Sequence, residues 1–167
     1  TLSPSSAASD VYKRQYLTDD NLEGFNAQAY VLPPLRSNTD QQAIRRGLKD
    51  GTIDAICSHH EPLNSTAKKA PFAESTPGIS NFDTFMALAC QLVHDEVLTL
   101  EQLVDKICLN PAKIAGISEQ YEKIGGAVLV DPNIEWQVTA QSMLSSGKNT
   151  PFFNQQLQGR VVETFFG

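Results

Sequence analysis

The sequence lacks most of the features that would decide a function early. It has no apolar run of the about 20 residues that a membrane-spanning helix needs. It has no excess of positive charge: 13 Lys and Arg stand against 19 Asp and Glu, a formal charge of −6, with the acidic residues scattered. A chain without a basic stripe offers no electrostatic footprint for a polyanion, so neither nucleic acid nor a membrane is expected as a partner. Cysteine is scarce too. Cys57, Cys90 and Cys108 lie far apart in apolar runs, with no CxxC pair and no Cys/His ligand spacing. An odd, dispersed set favours reduced core thiols over a disulfide framework or a zinc knot. Together with the absence of a visible signal peptide, this leads to a cytoplasmic expectation. There is no internal repeat. What remains is ordinary globular material, 41% hydrophobic over 167 residues, enough for one moderate core.

Residues 1–15 (TLSPSSAASDVYKRQ) are Ser/Ala-rich and then charged, with no apolar periodicity, and are expected to form a non-native or disordered tail. Asp10–Gln15 (DVYKRQ) resembles the translation of a transposon-end adapter used in sequencing libraries, GAT GTG TAT AAG AGA CAG, which would make the tail a scar outside the fold. Structured text begins at Tyr16. Ala29–Leu32 (AYVL) is a short apolar run stopped by Pro33-Pro34, the pattern of a buried strand ending in a loop. Thr39 or Asn38 can cap a following helix that places Ile44 and Leu48 on one face and ends at Asp50-Gly51. Ile53–Cys57 (IDAIC) reads as a second buried strand. Strand, helix and strand in so short a space is the βαβ pattern of a parallel sheet, whose functional loops lie at the strands' carboxyl ends; here those ends carry LPPLR and SHHEPL.

Phe82–Val93 is an apolar helix, and Thr99 caps another, LEQLVDKICL, with Gln102 placed for a capping box. Asn110-Pro111 should break the chain, with PAKIAGI restarting as a short helix. Beyond Gly125, AVLVDP, EWQVTA and GRVVETFF read as three strands, the first two joined by a turn at Asp131-Pro132-Asn133. The α/β text of residues 16–120 is thus followed by a small β-module at 121–167.

The densest chemistry is Ser58-His59-His60-Glu61-Pro62-Leu63. Imidazole and carboxylate can ligate zinc or move protons, although adjacent residues at a strand end face opposite ways, which argues against His59 and His60 sharing a metal ion. The plainer reading is polar loop text. His94, in the last turn of its helix, is placed to complement the helix dipole.

In order and with comparable spacing, VLPPLRS, DGTIDAICSHHEP, APFAESTPGISNFDT, LVDKICLNPAKIAGI and KNTPFFNQQLQGRVVETFFG resemble the carboxyl-terminal portion of the dihydroorotases of pyrimidine biosynthesis. The resemblance implies the last part of a metal-dependent (β/α)8 amidohydrolase barrel, followed by strands of a small β-sandwich. It also implies departures. The family's proton-shuttling, metal-touching aspartate falls on His59, which leaves at most a weak metal ligand there. Two substrate-holding positions, an asparagine and a histidine in the family, fall on Leu32 and Leu63, which have no side-chain hydrogen bonds to offer. Pro77-Gly78 matches a backbone contact to substrate, though a glycine at that point also suits a tight turn. Arg36 is either a ligand-binding arginine or the buried partner of a carboxylate. The family uses zinc; none is expected on these residues. A scaffold kept while its chemistry is lost implies a non-catalytic, structural partner of aspartate carbamoyltransferase within an oligomer. The alternative is an active zinc-dependent enzyme interconverting (S)-dihydroorotate and N-carbamoyl-L-aspartate.

Overall fold

The computed structural model describes residues 11–64 and 66–166. Its helices are α1 (Val11–Arg14), α2 (Asn38–Lys49), α3 (Phe82–His94), α4 (Leu100–Val104), α5 (Asn110–Ile114) and α6 (Ser118–Ile124). A hairpin of β1 (Ala127–Gln137) and β2 (Gln156–Phe165) pairs antiparallel.

The centre of the molecule is α3, whose Ala87, Leu88, Ala89, Cys90 and Leu92 are all buried. The hairpin lies against it. Gly159 in β2 has φ +103°, and a Cβ there would sit 3.1 Å from the Cβ of Cys90 and 3.3 Å from the Cα of Ala87, so strand and helix approach as closely as backbone allows. Trp136 in β1 donates its indole N–H to the Gly159 carbonyl at 3.0 Å, fixing the hairpin where it touches the helix. The expected three strands are two. Asp131–Asn133 is not a turn but an irregularity inside β1, where the register shifts between Asp131 and Glu135. The Asp131 carboxylate accepts from the Asn133 amide at 2.8 Å, an intrastrand loop that absorbs the extra residues without ending the ladder.

Ser37, not Thr39 or Asn38, caps α2: its hydroxyl accepts from the Asp40 amide. Leu48 is fully buried and Ile44 packs on the same core, as the spacing predicts. Thr99 and Gln102 form the expected capping box, with the Gln102 amide donating to Thr99 Oγ1 at 3.2 Å and the Thr99 amide donating to Gln102 Oε1 at 2.9 Å. Asn110-Pro111, however, does not break the chain. A single wider turn, Asp105–Leu109, links α4 to α5, and the Asn110 amide bonds to the Asp105 carbonyl five residues back. Proline has no N–H to give, and widening the turn just before it lets the rod continue.

The two predicted parallel strands form no ladder. Val31 and Ile56 are buried, at 2% and 3% exposure, as inward-facing barrel residues should be. Yet among the described residues the only sheet is the hairpin. A parallel strand exists only through its neighbours, and Ile56 instead donates to the carbonyl of Lys106 at 2.9 Å. Residues 11–15 also differ from the disorder expected of them. Tyr12 is buried with its ring centroid 5.1 Å from that of Phe85, its hydroxyl donates to Thr84 at 3.1 Å, and Arg45 holds the Gln15 carbonyl with two N–H groups. An aromatic flanked by long polar chains fills an apolar gap beside α3, and that burial outweighs the low periodicity of the segment. The remainder of the tail, 1–10, lies outside the described residues.

Candidate functional site

Two loops meet at the candidate site, Ser58–Leu63 and Pro77–Asn81, and most of their bonds go from side chain to backbone. Asn149 is the main fastener. Buried at 5% exposure, it donates through Nδ2 to the carbonyls of Glu61 (3.0 Å) and Gly78 (3.1 Å), while its Oδ1 accepts from the Leu63 amide at 2.8 Å. Its own carbonyl takes the Ser80 amide at 2.8 Å. Asn81, fully buried, donates from Nδ2 to the carbonyls of Ser58 (2.9 Å) and His59 (3.2 Å). The Glu61 amide closes the pair by donating to the Ile79 carbonyl at 2.9 Å.

His60 has a structural task. Its Nδ1 accepts from the amides of Asn81 (3.0 Å) and Phe82 (3.1 Å), so a side chain from the other loop caps the start of α3. That role requires neutral imidazole with its proton on Nε2. Burial accordingly holds its pKa below the ordinary 6.5, with Asp83 pulling weakly the other way. His94 ends α3 in an exposed position, as expected of a dipole-facing residue.

The His59 carbonyl belongs to this lattice, and the residue sits in the left-handed region at φ 44°, a conformation a non-glycine residue adopts only under local constraint. Its Nδ1 is 2.8 Å from the Lys13 ammonium and 3.4 Å from a Glu61 carboxylate oxygen; Lys13 and Glu61 are themselves 3.3 Å apart. Nδ1 can accept from the ammonium or donate to the carboxylate, not both at once. The cluster can pass a proton between imidazole and carboxylate.

Leu32 is 52% exposed and Leu63 is half-buried. Gly78 has φ +134°, and a Cβ there would meet the Glu61 Cβ at 3.0 Å, so glycine is required by close approach of the two loops. Its N–H is spent on the Tyr30 carbonyl (3.0 Å) and its carbonyl on Asn149, which leaves the backbone matched to a substrate contact already bonded. Pro77 precedes it with no N–H of its own. Arg36 is exposed and pairs with Asp40 at 3.5 Å within α2's first turn, so the buried-partner reading does not hold. Cys90 is buried, and Cys57 and Cys108 are only half so.

Zinc is the group that the resemblance implies. Among the described residues no three His, Cys, Asp or Glu side chains converge to hold a metal ion. The Nδ1 of His60 is committed to backbone, and no third ligand joins His59 and Glu61 among the described residues, so these residues do not by themselves make a zinc centre.

Sequence reasoning missed His60 as a cap and Asn81 and Asn149 as fasteners. The signal available was position: Asn149 opens the NTPF motif, and Asn81 directly precedes α3.

No family model matches the chain. Over 151 residues it is 43% identical to the dihydroorotase of Syntrophus aciditrophicus, covering 89% of this chain and 35% of that one. It is 40% identical over 154 residues to the dihydroorotase of Geobacter metallireducens, covering 90% and 36%. A dihydroorotase-like protein of Pseudomonas aeruginosa is 39% identical over 151 residues, covering 89% and 36%. Among solved structures, the L-hydantoinase of Arthrobacter aurescens superposes with a TM-score of 0.85 at 24% identity, over 95% of this chain and 37% of that one. The dihydroorotase of Saccharomyces cerevisiae, in complex with 5-fluoroorotic acid, gives 0.75 at 16% identity, over 92% and 42%. The chain therefore has dihydroorotase homologues along most of its length, and its fold superposes on part of solved hydantoinase and dihydroorotase structures. It spans about a third of the length of the curated relatives it matches. No helix of the described residues is long and apolar enough to cross a membrane.

Proposed function

We propose that this chain is the carboxyl-terminal part of a dihydroorotase-like protein of de novo pyrimidine biosynthesis that is non-catalytic and serves as a structural partner of aspartate carbamoyltransferase, in a cytoplasmic oligomer. The observation that carries the proposal is His59. It stands where the resembling family has the metal-touching, proton-shuttling aspartate, and its Nδ1 lies 3.4 Å from a Glu61 carboxylate oxygen. A neutral imidazole has no second oxygen and no negative charge, and losing a general base costs ~10²–10⁴ in rate. Leu32 and Leu63, at two substrate-holding positions, would each leave a polar ligand group unpaired, at about 1–3 kcal/mol apiece. By contrast, the residues that hold the loops, Asn81, Asn149 and Gly78, are present and donate across them, though the Asn81 Oδ1 is buried without a hydrogen-bond partner. A loop kept in shape after its chemistry has gone suits a surface that a partner reads.

A second reading, an active zinc-dependent dihydroorotase, is favoured by the relatives of 43% and 40% identity, both dihydroorotases. In it, zinc would be held by residues outside this chain's described part, and His59 would act beside it. Zinc analysis of the full-length protein, together with ring closure of N-carbamoyl-L-aspartate, separates the two readings. Co-purification with aspartate carbamoyltransferase, and failure of that enzyme to assemble without this protein, would support the first.

Within this proposal residues 16–120 belong to the barrel and 121–167 to the β-module, with the hairpin contributing to a small sandwich. Residues 1–15 are a non-native tail. Tyr12 fills a gap beside Phe85 that another aromatic could equally fill, so its seat speaks for the gap and not for the origin of its occupant. Genomic sequence upstream of the Tyr16 codon tests this: DVYKRQ encoded there in frame would overturn it.

A further inference from the structure

The segment 53–56 leads directly into the site loop, and it is tied at three points to the wide turn Asp105–Leu109 and the residue after it. The Ile56 amide donates to the Lys106 carbonyl at 2.9 Å. The Lys106 ammonium donates to the Ile53 carbonyl at 2.5 Å, and Asn110 Nδ2 donates to the Asp54 carbonyl at 2.8 Å. One acceptor and two donors on a helical rod thus meet one amide and two carbonyls of a segment that forms no ladder.

The acceptor is there because the helix is irregular at this point. In a regular helix the Lys106 carbonyl would take the Asn110 amide, but that amide bonds to Asp105 instead, five residues back. The next residue is Pro111, which has no N–H to offer. Wide turn and proline together leave a carbonyl in mid-rod for the Ile56 amide, and a backbone acceptor so placed needs such a partner. Lys106 is also unusual in its burial, at 6% exposure. A buried lysine needs a partner for its charged head, and here the head is spent on a main-chain carbonyl. Four residues on, Asn110 lies on the same side of the rod and repeats the contact one residue further along the segment.

None of these three bonds reaches residues 58–63, whose carbonyls are held by Asn81 and Asn149. They fix the residues immediately before the loop. We propose that the turn is a latch that positions the site loop: Lys106, through Ile53 and Ile56, sets where residues 58–63 stand relative to the rod of α4 and α5. Lys106 is a positioning residue, and Pro111 keeps its carbonyl available. The latch acts on backbone and not on His59, so it stands whether or not the loop performs chemistry.

The test is hydrogen exchange of the full-length protein, read by mass spectrometry, comparing residues 56–63 with the hairpin of β1 and β2. Lys106→Met keeps the stem and removes the donor. The Ile56, Glu61 and Leu63 amides should then exchange about tenfold faster or more, with hairpin rates unchanged, as local loss of a charge-assisted bond implies. Lys106→Arg restores a donor, and the hollow of about 220 Å³ that Lys106 borders has room for the larger head, so its rates should return close to wild type. Pro111→Ala is the sharper variant. It supplies an N–H and lifts the constraint on the turn, so the helix can become regular and claim the Lys106 carbonyl for itself. The latch predicts opposite effects at two places, slower exchange over 105–115 and faster exchange at Ile56, Glu61 and Leu63. A purely structural role for the turn predicts only the first. Should Lys106→Met fail to fold, Pro111→Ala carries the test alone, because alanine is the better helix former. Unchanged exchange at Glu61 and Leu63 in either variant, quickening confined to Ile56, quickening of the hairpin in step, or Lys106→Arg behaving like Lys106→Met would overturn the proposal.

Discussion

The unit of α3 and the hairpin is joined by apolar contact and a strand ladder, with Gly159 pressed on Cys90 and Ala87 and Trp136 bonded across the sheet. Around Ser58–Leu63 there is no ladder; there the backbone carbonyls of Ser58, His59, Glu61 and Gly78 are taken by the amide groups of two asparagines. The first region spreads its load over many contacts, except where Gly159 meets the helix. The second depends on a few residues, each satisfying several buried groups at once. A loop fastened in that way keeps its shape independently of what chemistry its own side chains perform, which is what the proposed departure at His59 requires.

The largest break should come from Asn149→Ala, which removes two donors and an acceptor from buried backbone partners. We expect about 3 kcal/mol or more of destabilisation, read by urea unfolding of the full-length protein, with early proteolytic cleavage near residues 58–64. Cleavage confined to the hairpin would contradict the division. Gly159→Ala is the converse test. Its φ of +103° and its contact with Cys90 predict a loss of about 2 kcal/mol, with hydrogen exchange rising in β1 and β2 and unchanged at 58–63. Thr99→Ala lies outside both regions and removes one capping box; a loss of about 1 kcal/mol, with neither region's exchange altered, is expected.

The smallest effect is a pH slope. Because the pKa of His60 is lower in the folded protein than the ordinary 6.5, the unfolded chain takes up a proton first as pH falls. Stability from this group is complete above pH 6.5 and drains away below it, down to the folded pKa. His60→Asn, which keeps an acceptor for the α3 amides but does not titrate there, should flatten that part of the stability profile; an unchanged slope would show that His60 is not the capping group.

The regular elements were legible where the signal is local. α3, the Thr99–Gln102 box and the Ile44/Leu48 face follow from spacing and cap chemistry within one or two turns. Expectations failed where neighbours decide. Ala29–Leu32 and Ile53–Cys57 have the composition of buried strands, and Val31 and Ile56 are buried, but pairing is a property of two segments and neither contains its partner. Asp131-Pro132-Asn133 has the letters of a turn and becomes a bulge because the ladder resumes beyond it. At the site, the reading of His59, Leu32 and Leu63 as departures rests on residue chemistry at positions the resemblance matches, and it enters the account as a proposal. The fasteners could not. Asn149 reaches Glu61 across 88 residues of sequence and Asn81 reaches Ser58 across 23, distances over which no periodicity or motif spacing carries information.

The claim that the loop has kept its shape and lost its chemistry is tested most directly by assaying ring closure of N-carbamoyl-L-aspartate by the full-length protein with zinc supplied. The expected result is no turnover above background for the wild type, with the protein folded and its loop intact by proteolysis. Steady turnover accompanied by stoichiometric zinc, abolished by His59→Ala, would contradict it.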